Sequence, residues 1–125
     1  MSGLTLDAGA LIAFERNDRA VVATISRSLV LGLRLAVPAG VVGQVWRDGR
    51  RQARLSRLLG SDLVKIEPLD DKGARAAGQL CGAAHTNDVI DASVVLCAKS
   101  HGHSVLTSDI DDLRLLDSSL RYVAV

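Results

Sequence analysis

Only three aromatic side chains, Phe14, Trp46 and Tyr122, occur among the 125 residues, although 48% of the chain is hydrophobic. The interior must therefore be built from Ala, Val, Leu and Ile, a composition that suits helices packed on a buried sheet. Cysteine is nearly as scarce. Cys81 and Cys97 both fall in alanine-rich stretches of helical pattern, with no Cys or His at metal-ligand spacing, so they read as buried free thiols rather than as a zinc site. Long apolar runs are missing too: the most hydrophobic stretch, SLVLGLRLAV, is cut by Arg34, which excludes a membrane span. The opening MSGLTLD has no basic region and meets an acid at residue 7, unlike a signal peptide. The expectation is a soluble, cytoplasmic protein with no membrane partner. Nor is there an excess of charge of one sign, and a net charge of +1 does not describe a uniformly basic nucleic-acid binder.

What is present is an alternation of strand and helix signals. LTLD (4–7) reads as a short strand ending at Asp7, followed by the helical AGALIAFE and a second helix over 19–31 that Gly32 ends. RLAV is a strand closed by Pro38, leading into a helix over about 40–47 and, after Gly49, an Arg-rich helix to about 59. LVKIEPL is the third strand. Asp70 and Asp71 cap a helix to about 83, and another runs from Asp88 to about 100. HSVLTSD, the short helix DDLRLLD and the strand LRYVAV complete the chain. The length allows one domain, residues 1–125, and the alternation implies an α/β fold with a mainly parallel central sheet flanked by helices on both faces. In such a sheet the ligand crevice opens at the carboxyl ends of the strands. His101 and His103 belong at the opposite end.

Within TNDVIDASVV (86–95), Asp88 and Asp91 stand three residues apart where a helix is about to bury itself. Thr86 or Asn87 is a suitable N-cap, and acids are favoured in a first helical turn, which accounts for one carboxylate. Asp91 lies almost a full turn further in, on the same face as Asp88, where the two repel unless a cation or donor intervenes. Asp7 and Asp109 both end strands, so Asp7, Asp88, Asp91 and Asp109 are positioned to converge at one edge of the sheet. A hard divalent cation would relieve their repulsion, and an oxygen-only donor set favours Mg²⁺ or Mn²⁺ over zinc.

Charge is also patterned in RDGRRQARLSR (47–57), where Arg47, Arg50, Arg54 and Arg57 follow 3, 4, 3 spacing along one expected helix face. A solvated surface and a face that binds phosphates or an acidic partner are both compatible with it.

LDAGALIA, VPAGVVGQVWR, DVIDASVVLCA and VLTSDIDDL resemble, in order and across essentially the whole chain, the motifs of the PIN-domain nucleases, and most of all the VapC-like toxins of bacterial toxin-antitoxin pairs. The resemblance implies Asp7, Asp91 and Asp109 as catalytic metal ligands, with Asp88 and Asp112 as outer or alternate ligands. Ser108 would hold a water or a phosphate oxygen, or else bond backbone at the strand end. Asp111 and Asp117 read as surface residues or caps. The implied activity is Mg²⁺- or Mn²⁺-dependent hydrolysis of RNA phosphodiester bonds by a metal-activated water, in a homodimer inhibited by a small cognate antitoxin. Gln44, Arg47, Arg50 and Arg54 would contact substrate.

One departure bears on activity. The family usually carries Glu before the VWR element, where this chain has Gln44, an amide that hydrogen-bonds but adds no charge and cannot act as a base. A catalytically weak or silent module that binds RNA or an antitoxin is the alternative this opens. A phosphoacceptor receiver domain is disfavoured, because LTLDAG offers one acid where that chemistry needs a pair, and VKIEPL supplies no acceptor Asp.

Overall fold

The computed structural model describes residues 3–125; Met1 and Ser2, which open the segment compared above with a signal peptide, lie outside them. Along the chain run β1 (Leu4–Leu6), α1 (Ala8–Glu15), α2 (Arg19–Val30), β2 (Leu35–Pro38), α3 (Ala39–Val45), α4 (Ala53–Leu59), β3 (Val64–Glu67), α5 (Asp71–Ala84), α6 (Val89–His101), β4 (Ser104–Thr107), α7 (Ile110–Leu116) and β5 (Tyr122–Ala124). The order matches that expected from the sequence, with shorter strands. Pro68, which has no N–H to donate, follows the last paired residue of β3. No helix among the described residues is long and apolar enough to cross a membrane.

The five strands form one sheet in the order β3-β2-β1-β4-β5, and every pairing is parallel. Successive strand residues point to opposite faces, so the complete burial of both Thr5 and Leu6, and of both Val105 and Leu106, means that both faces are covered. The Thr5 hydroxyl points toward Cys97 of α6, which packs across β2, β1 and β4 with α5 against it. On the face of Leu6, α1 sits among α2, α3 and α4. Among the described residues Leu6, Leu11, Ile25, Leu35, Leu55, Leu106 and Leu113 are the largest fully buried members of the core, Phe14 and Tyr122 pack against it only partly buried, and both cysteines are buried free thiols. Truncating one of those leucines to Ala is expected to cost about 2–5 kcal/mol.

From β1 the chain steps outward through β2 to β3, then crosses back to place β4 and β5 on the other side. Connections leaving β1 and β4 therefore diverge, and a crevice opens between their carboxyl ends. Asp7 follows β1 directly, and Asp109 lies two residues beyond β4.

The single helical face expected for Arg47, Arg50, Arg54 and Arg57 does not form. α3 stops at Val45 and α4 starts at Ala53, leaving Arg47 and Arg50 in the turn between them. The buried amide of Gln52 explains the break: it accepts the N–H groups of Arg47 (2.7 Å) and Asp48 (2.9 Å) and donates to the Val45 carbonyl (2.9 Å), groups that a continuous helix would have paired itself. Gly49 lies against the Trp46 indole, where an added Cβ would come within 2.7 Å of the ring. Only Arg54 and Arg57 remain on a helix, and Arg54 reaches across to donate to the Asn17 side chain.

Candidate functional site

Asp7 is 5% exposed. As N-cap of α1 it accepts the Ala10 N–H through Oδ1 at 2.9 Å, while the Thr107 hydroxyl donates to Oδ2. The sheet register explains this second bond, because Leu6 pairs with Leu106 and so brings the next residues of the two strands together. Burial raises the pKa of Asp7 above the usual carboxylate value, and the charge of Asp109 adds to the rise; bonds from Thr107, Ala10 and the Ser108 backbone oppose it without cancelling it. Thr107 also accepts the Asp109 N–H at 2.8 Å, so one buried hydroxyl holds both acidic positions. Thr107 was missed in the sequence. Its signal was present in TSD, where a Thr two residues before an Asp at a strand end is placed to form this local bond.

At the start of α6 the cap is Asp88, not Thr86 or Asn87. Its carboxylate accepts the Asp91 N–H at 2.9 Å, and Thr86 supplies only a long 3.4 Å acceptor to the Asp88 N–H. The cap uses the backbone of Asp91 and leaves its carboxylate out. That carboxylate is half-buried, and its pKa is pushed up to about 7 by burial first, then by Asp88, and further by the charges of Asp109 and Asp112.

These groups line one cleft of about 170 Å³, with Asp7, Asp88, Asp91, Asp109 and Asp112 on its walls and no cationic side chain among its lining residues. Gln44 of α3 lines it as well. Among the described residues no three metal-binding side chains form a ready-made cage, so the fit to a cation rests on donor chemistry: anionic oxygens only, mutually repelling, without a resident counter-charge.

Other residues singled out in the sequence lie elsewhere. Ser108 does not line this cleft; it is exposed in the neighbouring hollows, where Gly9 gives it room, since an added Cβ there would sit 2.0 Å from Oγ. Arg47, Arg50 and Arg54 are likewise absent from the cleft lining. Asp111 is exposed in the first turn of α7 and Asp117 is the C-cap of that helix, in keeping with the expected surface or capping roles. The Asp117 side chain is 11% exposed and pairs with Lys99 at 2.8 Å, and the Lys99 and Ser119 bonds pull its pKa down to about 2. His101 ends α6, and His103 is buried beside Thr5 at 3.1 Å, both away from the acidic cleft.

Fold and site together describe a parallel α/β domain with an acidic crevice at the switch point of its sheet. The signature of the PIN domain matches residues 4–117, and the chain belongs to that family. No curated protein sequence is significantly similar. Among solved structures, FitAB bound to an IR36 DNA fragment is similar with a TM-score of 0.66 and 18% identity, over 97% of this chain and 94% of that one. FitAcB from Neisseria gonorrhoeae is similar with a TM-score of 0.65 and 21% identity, over 95% of each chain. VapBC2 from Rickettsia felis, bound to a DNA fragment from its promoter, is similar with a TM-score of 0.69 and 13% identity, over 98% of each. Identities this low establish a shared fold.

Proposed function

We propose that the protein is a metal-dependent endoribonuclease acting as the toxin of a toxin-antitoxin pair. The observation that carries the reading is the cleft in which five aspartates meet without a cationic side chain. Similarity in fold to FitAB and VapBC2 supports the assignment to a toxin with a small antitoxin partner, and a homodimer is part of the same proposal.

Asp7, Asp91 and Asp109 would hold Mg²⁺, with Mn²⁺ as alternative, and Asp88 and Asp112 would contribute from the rim. When bound, the ion supplies charge neutralisation on a phosphodiester and lowers the pKa of water. The chain's own part is positioning. Thr107 and the Ala10 N–H fix both oxygens of Asp7, Thr107 holds the backbone of Asp109, and the first turn of α6 carries Asp91 into the same cleft. Gln44 offers amide donors to a phosphate oxygen or water.

Gln44 also supports a second reading, a PIN-fold module that binds RNA or an antitoxin and cleaves weakly or not at all. Incubating purified protein with total RNA, with and without Mg²⁺ or Mn²⁺ and beside Asp7→Asn, separates the two. Metal-dependent degradation lost in the variant supports the nuclease, and intact RNA in every lane supports the silent module.

A further inference from the structure

The acidic cleft opens into a longer depression. It shares Gly9 with a hollow of about 530 Å³ beside α1, and Asp109 and Asp112 with another behind the β4–α7 connection, which meets the first at Ser108 and Val125. One stripe of α1 and its C-cap floors this hollow: Gly9, Ile12, Ala13 and Arg16, at positions i, i+3, i+4 and i+7 and therefore on one helix face. The stripe begins beside Asp7 and ends at Arg16, roughly 13 Å away at 1.5 Å rise per residue. Its middle is small and apolar, with Ile12 36% exposed.

Arg16 is the first cation met on leaving the carboxylates along this floor. It is exposed, and its guanidinium has no hydrogen bond or ion pair among the described residues. The acid beside it, Asp18, is engaged in capping α2, accepting the Val21 N–H at 3.1 Å. Arg54 approaches the same end through its bond to Asn17, so two guanidinium groups gather there beside the single carboxylate of Asp18, while the near end carries carboxylates alone. A polyanion cut at the acidic end, where a cation offsets the local charge, would gain its first direct charge-assisted contact at Arg16. The apolar strip between, Ile12 and Ala13, offers van der Waals contact to sugars and base edges.

Resting on the nuclease reading above, we infer that this trench is the track of single-stranded RNA, and that Arg16 is a positioning residue that grips a phosphate a few nucleotides from the one that is cut. The test pairs binding of a fluorescent oligoribonucleotide in Ca²⁺ with its cleavage in Mg²⁺ or Mn²⁺. Arg16→Ala should weaken binding and raise KM on the order of tenfold with kcat little changed, and should flatten the salt dependence by the share of about one phosphate. The loss should be smaller on a dinucleotide than on the longer strand, and Arg16→Lys should restore part of it. Arg75→Ala on α5, whose partner is Asp71, should change neither readout.

Equal binding by Arg16→Ala and the unmodified protein would overturn the track while leaving cleavage, and so the nuclease reading, intact. Arg16-dependent binding without cleavage would sink the nuclease reading and keep the track. A loss as large on the dinucleotide as on the longer strand, or a loss confined to binding of an antitoxin peptide, would also overturn it.

Discussion

Thr107 and Asp7, a hundred residues apart, share a buried hydrogen bond in which the hydroxyl donates to the carboxylate, and the same hydroxyl accepts the Asp109 N–H. Thr107→Val removes the donor at nearly constant volume. The ionised Asp7 then loses one of its few partners, so the fold should lose about 1–3 kcal/mol near neutral pH. The loss should shrink in acid, where a protonated Asp7 needs no donor, and cleavage should fall. Thr107→Ser should keep both properties. Urea unfolding of the three proteins in acid and at neutral pH checks this.

Asp91 makes the metal-free protein less stable as pH rises. Unfolded, its carboxyl titrates near 3.8; folded, near 7. The folded state binds the proton more tightly, so the contribution is fully present below 3.8 and is lost as pH climbs through about 7. Asp7, raised in the same direction, adds to the decline. Asp91→Asn should abolish cleavage yet flatten this slope and leave the metal-free fold as stable or more so near neutral pH. A loss of about 0.5–2 kcal/mol would instead assign the Asp91 carboxylate a capping role.

Divalent metal should reverse that penalty. Binding to the folded state alone raises stability by about 2.7 kcal/mol at a hundredfold excess over the dissociation constant. Thermal melts with Mg²⁺ or Mn²⁺, matched in ionic strength with monovalent salt, should show the rise, and Asp7→Asn should erase most of it. No divalent-specific rise would remove the metal from the mechanism.

Gln44 decides between two accounts of the amide. If it weakens the site, Gln44→Glu should tighten metal binding and raise the cleavage rate, while destabilising the metal-free protein by adding repulsion to the cleft. A lower rate at saturating metal would instead make the amide a working donor to water or phosphate. A Mg²⁺ titration of the rate, run beside melts of the metal-free proteins, reads both.

Much of the architecture was legible because strand and helix signals alternate cleanly and turn residues punctuate them. Asp7 and Asp109 could be placed at the crevice from strand ends alone, because a parallel sheet collects its carboxyl ends on one edge. The arginine face was misread for a physical reason. Its 3, 4, 3 spacing is helical, but one buried side chain, Gln52, supplies hydrogen bonds that let the backbone leave the helix, and burial of a single amide has no local signature. The partners of Asp117 and Thr107 were hidden likewise. Lys99 and Asp7 reach these residues from distant parts of the chain, and spacing cannot report such a partner.

The strand order has a consequence for the protein's birth on the ribosome. β1 lies between β2 and β4, and the bond from Thr107 to Asp7 closes only when the fourth strand docks. A nascent chain that has folded its first three strands carries Asp7 and none of Asp88, Asp91, Asp109 or Asp112. If the proposed activity holds, the enzyme stays harmless to the message that encodes it until the fourth strand and the acids beyond it have been made and docked.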